Sequence, residues 1–210
     1  MNRFKPLGLL GVAALATMLV FAPAAQATKL KQQNLTQLIS QAESIVAGTV
    51  RSVADGIDPN GVPYTEVTIA VGTIAKGKVK GGEDYTFRQF GLLEPRTFPD
   101  GRQLLAVSPE GFPRWAKGEY VIAFLYAPAS RTGLQTTAGM AQGKLTSING
   151  RLANQFNNLG LFEDVVVDSA LLKADEVAML ETRGAVDTQV FLGLVGRAVA
   201  EGWIEKGGMK

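Results

Sequence analysis

From Tyr64 to Phe90 the chain alternates apolar and polar residues across a single interruption, and no other stretch constrains the fold as much. Thr65, Val67, Ile69 and Val71 share one parity, while Glu66 and Thr68 take the other. A period of two built on β-branched residues is the pattern of a half-buried strand. Lys76-Gly77-Lys78 breaks it, Gly81-Gly82 follows, and Tyr85 and Phe87 resume it. Glycine permits the backbone angles that a reversal needs, so the stretch reads as two antiparallel strands around a basic, glycine-rich turn.

The first residues carry a different signal. Arg3 and Lys5 precede an almost wholly apolar run from Leu7 to Phe21, and Ala25-Gln26-Ala27 supplies a small-x-small site. This is the three-part pattern of a secretory signal peptide, and it predicts a periplasmic or secreted protein cleaved after Ala27. A transmembrane anchor is the competing reading, because the run approaches a bilayer span. Pro23 and the Ala-Gln-Ala site favour cleavage, and no later stretch is apolar enough to stop transfer. The mature chain is thus expected to have no stable membrane insertion.

Cleavage removes 27 of 210 residues, leaving 183, and takes away Arg3 and Lys5 but no acid. The 21 Lys and Arg fall to 19, against 19 Asp and Glu, so the formal charge of +2 belongs to the segment removed. A formally neutral exported chain lacks the basic surface that phosphate neutralisation demands, which argues against a nucleic-acid partner. Zero cysteines leave stability to the core alone, and 183 residues suffice for one well-packed domain. Zero histidines exclude Ser-His-Asp and Cys-His nucleophiles, His-ligated zinc and an imidazole base. No cofactor and no metal are implied.

Taken in order, Asn34 can cap a helix in which Leu35, Leu38, Ile39 and Ala42 form one face. Ile45–Val53 reads as a strand, with Gly48 marking a bulge or sharp coil. Asp55–Gly61 is a turn-rich loop. Asp55, Asp58 and Asn60 are oxygen donors, but their spacing misses the calcium loop and a plain turn is favoured. Leu92–Trp115 is a long connection with four prolines beyond Leu93, and its apolar residues suggest that it folds down over the barrel. Tyr120–Tyr126 is apolar on both parities, so it reads as a central strand covered on both sides. Leu134–Ala138, Leu145–Ile148 and Leu152–Phe156 are further strands, the last two joined by Asn149-Gly150, a strong hairpin signal. Ala174–Thr182 has helical character, and Asp187 can cap a last helix carrying Val190, Phe191, Leu194, Val195 and Ala198 on one face. Many short strands with regular turn signals predict a mainly β fold: a small closed antiparallel barrel with an N-terminal helix and a C-terminal helical tail. The expected boundaries are 1–27 for the signal peptide, 28–162 for the barrel and 163–210 for a helical extension packed on it.

Five segments in this order resemble a group of small exported bacterial proteins without an assigned activity. They are "LTQLISQAESIVAGTV" at Leu35–Val50, the strand ending in "AKGKV" within Thr65–Val79, "FRQFG" at Phe87–Gly91, "GEYVIAFL" at Gly118–Leu125 and "GMAQGKL" at Gly139–Leu145. The resemblance spans roughly Leu35–Phe162. It implies a barrel similar to the oligonucleotide/oligosaccharide-binding type, as in netrin-like modules and tissue inhibitors of metalloproteinases. Those inhibitors chelate zinc through an N-terminal cysteine, which this chain lacks, so that chemistry does not carry over.

Candidate binding residues are Arg88 and Gln89 at a strand end, Trp115 at the close of the long loop, and Gln142 and Lys144 at a glycine-flanked strand entry. Converging near one barrel rim, they would recognise a carboxylate or sugar through Arg and amide hydrogen bonds. The plainer alternative pairs Arg88 with an acid and has the glutamines satisfy loop backbone. Trp115, Tyr120 and Tyr126 can form a sugar-stacking platform, but at strand parity aromatics belong to core. The acids Glu66, Glu83, Asp84, Glu94, Asp100, Glu110 and Glu119 form no catalytic motif, so no catalytic residue is assigned. The leading expectation is an exported, non-enzymatic module that binds a protein or peptide, such as an exported hydrolase, through the rim and the Gly91–Trp115 loop. The alternatives are a hydrolase or glycan-acting enzyme using carboxylates alone, and a structural envelope component assembling through its terminal helix.

Overall fold

Asn34 and Gln37 close the first element reciprocally. The Asn34 side chain accepts from the Gln37 amide at 3.0 Å, and the Gln37 side chain accepts from the Asn34 amide at 3.1 Å. This capping box starts α1 (Leu35–Gln41), whose Leu35, Leu38 and Ile39 are buried. A computed structural model describes residues 30–98 and 100–210; the expected signal peptide lies outside them. Residues Lys31–Lys210 form one compact unit.

The strands are β1 (Ser44–Ile57), β2 (Pro63–Lys76), β3 (Asp84–Phe90), β4 (Arg96–Thr97), β5 (Gln103–Leu104), β6 (Tyr120–Leu125), β7 (Lys144–Ile148), β8 (Arg151–Asn154) and β9 (Val186–Asp187). Helices α2 (Ala174–Leu180) and α3 (Thr188–Ala200) complete the set. Seven strands form one antiparallel sheet in the order β3-β2-β1-β6-β7-β8-β9, and β4 and β5 form a separate small hairpin. β2 and β3 pair from Tyr64–Phe90 through Ala70–Asp84, the two-strand unit expected from the alternation. The register of β1 against β2 slips at three places, one of them between Ala47 and Gly48. A Cβ at Gly48 would lie 2.1 Å from the Ala70 carbonyl oxygen, so only glycine permits this approach. Asn149 (φ 51°) and Gly150 (φ 75°) make the tight turn between β7 and β8.

The expected closed barrel is not formed. Among the described residues the sheet is open, with β3 and β9 as its outermost strands. Closure needs a continuous ladder running on from the β3 edge, and the segment beside that edge does not supply one. Leu134–Ala138, read as a strand, meets the end of β6 through the Thr137–Leu125 bridge, with backbone bonds from Tyr126 to the Thr136 carbonyl at 3.0 Å and from Ala138 to the Phe124 carbonyl at 2.7 Å. It meets β3 through one backbone bond, from the Gln135 backbone amide to the Arg88 carbonyl at 2.8 Å. Its side chains turn elsewhere: the Gln135 side-chain amide donates to the Tyr126 carbonyl at 2.6 Å, and the Thr137 hydroxyl donates to the Met140 carbonyl.

Helices therefore cover one sheet face. Ile45, Ala47, Ile122, Phe124, Leu145, Leu152 and Val186 pack against α1, Met179 of α2, and Phe191, Leu194, Val195 and Ala198 of α3. Phe124 and Phe191 meet edge-on, with ring centroids 6.4 Å apart. On the other face Val46, Val50, Val67, Ile69, Val71, Phe87, Val121, Ala123 and Leu125 gather around Trp115. Asp187 caps α3 by accepting from the Gln189 and Val190 amides at 2.8 and 3.0 Å. Arg197 joins α3 to Glu176 of α2 and donates to the Leu171 carbonyl at 2.7 Å. The apolar face of α3 is thus a structural part of the first core. Among the described residues no helix is long and apolar enough to cross a membrane.

Phe191 is fully buried at the centre of this core. Phe191→Ala is expected to lower unfolding free energy by about 3–5 kcal/mol, measured by urea denaturation.

Candidate functional site

Alternation along β3 sends Arg88 and Gln89 to opposite faces. Arg88 is exposed; its Nε donates to Glu66 at 2.8 Å, and its guanidinium lies 4.3 Å from the centre of the Tyr64 ring. The hydrogen bond from Arg88 to Glu66 raises the Arg88 pKa. Gln89 is buried: its amide donates to the Pro113 carbonyl at 3.0 Å, and its carbonyl accepts from Trp115 Nε1 at 3.2 Å. Trp115 is in turn buried edge-on against Phe87, with centroids 5.3 Å apart. The second half of the long loop is stitched to the sheet through its carbonyls. Gly111 accepts from the Ala141 amide at 2.8 Å, Pro113 accepts from Gln89, and Arg114 accepts from Lys144 Nζ at 2.6 Å.

Lys144 is the most constrained of the charged candidates. Its side chain is 8% exposed, and Nζ reaches Glu119 Oε2 at 2.5 Å and lies 5.1 Å from the centre of the Trp115 ring. Burial lowers its pKa, opposed by the hydrogen bond that Lys144 donates to Glu119. Glu119 also accepts from the Ala116 amide at 3.1 Å, which holds the Ala116–Glu119 turn shut. Gln142, one turn earlier, serves the N-terminal segment. Its carbonyl accepts from the Gln33 amide at 2.8 Å, and its amide donates to Lys31 and Gly139 carbonyls at 2.9 and 3.1 Å.

Gln89, Trp115 and Lys144 thus form one connected cluster, while Arg88 and Gln142 are engaged elsewhere. The acids of the Asp55–Gly61 loop are committed as well. Asp58 accepts from the Asn60 and Val62 amides at 2.8 Å each, and Asp55 accepts from the Leu93 and Glu94 amides at 2.5 and 2.9 Å. Among the described residues Glu176 is the single buried carboxylate, and Arg197 occupies it.

Two surface features were not foreseen in the sequence. One is an arm, Leu92–Val107, closed at its neck by the paired Leu92 and Val107 backbones and bearing β4 and β5. Gly91 (φ 137°) permits it, since a Cβ there would lie 2.6 Å from the Val107 carbonyl oxygen. The other is a cleft of about 600 Å³ bordered by Arg114, Glu119, Lys144, Thr146, Ile148 and Arg151. The hairpin signal at Asn149-Gly150 already places Arg151 opposite Ile148, and that was the available clue. A separate hollow of about 610 Å³, between the 156–163 loop and the 180–184 turn, contains none of the candidate residues.

No protein-family model, no curated protein and no solved structure matches this chain.

The buried ion pair generates an asymmetric prediction. The Glu119 side chain is 29% exposed against 8% for Lys144, so Glu119 retains access to water when its partner is removed and Lys144 does not. Glu119→Gln is expected to cost about 1–3 kcal/mol and Lys144→Met less. With the Lys144 pKa lowered from the usual 10.5, the unfolded chain holds more protons than the folded one in the window below 10.5. Stability then rises with pH through that window. Urea melts at pH 7 and pH 10 should show wild type gaining on Lys144→Met, which cannot titrate.

Proposed function

We propose that the protein is an exported, non-enzymatic binding module that engages a protein or peptide partner through the Leu92–Val107 arm. The observation that carries this reading is the arm's surface: Leu105 is 69% exposed, Leu93 is 50% exposed, and Val107 and Phe90 at its root are also exposed. Several large apolar side chains left exposed along one short stretch of chain are costly in water, and exposed apolar surface is characteristic of contact sites. The arm is also held in place before any partner arrives. Asp55 binds the Leu93 and Glu94 amides, Arg96 donates to the Asp55 carbonyl at 3.2 Å, and the neck is hydrogen-bonded on both strands. A preorganised loop loses less conformational freedom on binding, which favours affinity. The N-terminal pattern of Arg3, Lys5, Leu7–Phe21 and Ala25-Gln26-Ala27 supports export.

The experiment is comparative capture from an envelope extract. The doubly substituted Leu93→Ser/Leu105→Ser protein should lose about tenfold or more of its captured partner while melting at the wild-type temperature. Leu159→Ser, at a residue 72% exposed outside the arm, should capture as wild type does. Equal capture by all three proteins removes the arm from the proposal. Asp55→Ala should speed amide exchange at Leu93 and Glu94 and weaken capture severalfold, because it loosens the arm without altering its apolar side chains.

A further inference from the structure

The sheet face that holds Trp115 is not covered along its whole width. Val121 pairs with Thr146 and Ala123 with Lys144 in adjacent strands, and Thr146 and Ile148 pair in turn with Ala153 and Arg151. Paired residues of an antiparallel ladder share a face. Val121 and Ala123 lie under the Trp115 cluster, whereas over β7 and β8 the same face is open as the cleft of about 600 Å³. The central floor of this cleft is Thr146, Ile148 and Ala153, with Ile148 69% exposed.

Its charge is uneven. Lys144 and Glu119 neutralise each other at one end. Arg114 and Arg151 remain, and among the described residues no carboxylate lies within salt-bridge distance of either. Arg151 donates to a neutral acceptor, the Ala185 carbonyl. Arg114 stands at the Lys144 end, because its own carbonyl receives the Lys144 ammonium. Arg151 stands at the other, opposite Ile148 on one side and Asp187 of β9 on the other, the Asp187 carboxylate being taken up by the α3 cap. Lys144 and Ile148 are four strand residues apart, about 13 Å. The cleft borders include no aromatic ring on which a sugar could stack.

We propose that this cleft binds an extended acidic peptide. Two carboxylates four residues apart reach Arg114 and Arg151, and the residue midway between them rests on Thr146 and Ala153. An extended strand repeats its side-chain direction every second residue, so positions one, three and five of such a peptide face the floor together. Arginine pairs with carboxylates through two parallel hydrogen bonds, which fixes the register as well as the charge. This site is separate from the arm, and its test does not depend on the arm's role.

The probe is a fluorescein-labelled, end-blocked Glu-Ala-Val-Ala-Glu peptide, read by anisotropy at low ionic strength with the purified protein. Binding is expected to weaken about fivefold or more in each of Arg114→Gln and Arg151→Gln, and about tenfold or more when both peptide acids are replaced by Gln. It should also weaken as salt is added. Ile148→Asp, which places a like charge on the exposed floor, should weaken it without disturbing the melting temperature. The Thr146 and Ala153 amide resonances should shift on titration. Equal binding of the Gln peptide, or unchanged binding in both arginine variants, overturns the proposal. Tighter binding of a trimeric uronic-acid oligosaccharide overturns the choice of a peptide. Loss of peptide binding in Leu93→Ser/Leu105→Ser moves the site to the arm and overturns the cleft.

Discussion

Strand β6 carries the constraint on which the rest of the structure depends. Its residues Val121 to Leu125 are all fully buried, and alternation sends Ile122 and Phe124 to one face and Val121, Ala123 and Leu125 to the other. A strand that is apolar on both sides is stable only where both sides are covered. The helices answer this on the first face, where Phe191 of α3 meets Phe124. On the second face the answer is the curl of β1, β2 and β3 together with Trp115 from the loop. Gly193 and Gly196 leave α3 intrinsically weak, so it depends on the strand as much as the strand depends on it.

Covering the second face with a loop has a consequence for the polar residues beside it. A loop laid on a sheet brings its carbonyls out of water, and buried carbonyls require donors. Gln89, Ala141 and Lys144 supply those donors to Pro113, Gly111 and Arg114. Of the residues that resemble ligand contacts in a linear reading, Gln89 and Lys144 are therefore bound to the loop, Gln142 is bound to the N-terminal segment, and Arg88 is paired with Glu66 on the surface. Two surface features lie outside these internal bonds: the arm formed by the first half of the loop, and the floor of β7 and β8 beyond Trp115. The two differ in character, one apolar and held by its own hydrogen bonds, the other flanked by two guanidinium groups that, among the described residues, have no carboxylate within salt-bridge distance.

Much of the local structure was legible because its causes are local. The alternation at Thr65–Val71 gave β2, the Asn34 and Asp187 caps marked α1 and α3, Asn149-Gly150 gave the β7–β8 turn, and Gly48 marked a register slip in β1. The two-sided apolar run at Tyr120–Tyr126 indicated a central strand, and β6 is the fourth of seven. Leu134–Ala138 was partly legible: it runs back along the end of β6 through one bridge, but its side chains are drawn to Tyr126 and Met140, so it forms no full strand. Glu119 was legible as an acid beside Tyr120 and close to Trp115, but nothing in linear order brings it to a lysine 25 residues later.

The sequence by itself determined the element types, their caps and turns, the absence of sulfur and imidazole chemistry, and the need for β6 to be covered twice. These follow from backbone propensity and hydrophobic period, which act over a few neighbouring residues. Tertiary structure alone decided that the sheet stays open, that Gln89 and Lys144 serve the loop backbone while Gln142 serves the N-terminal segment, and that Arg114 and Arg151 flank one cleft. Each of these is a contact between segments far apart in the chain, and the choice among such contacts depends on which buried donors and acceptors can all be satisfied at once.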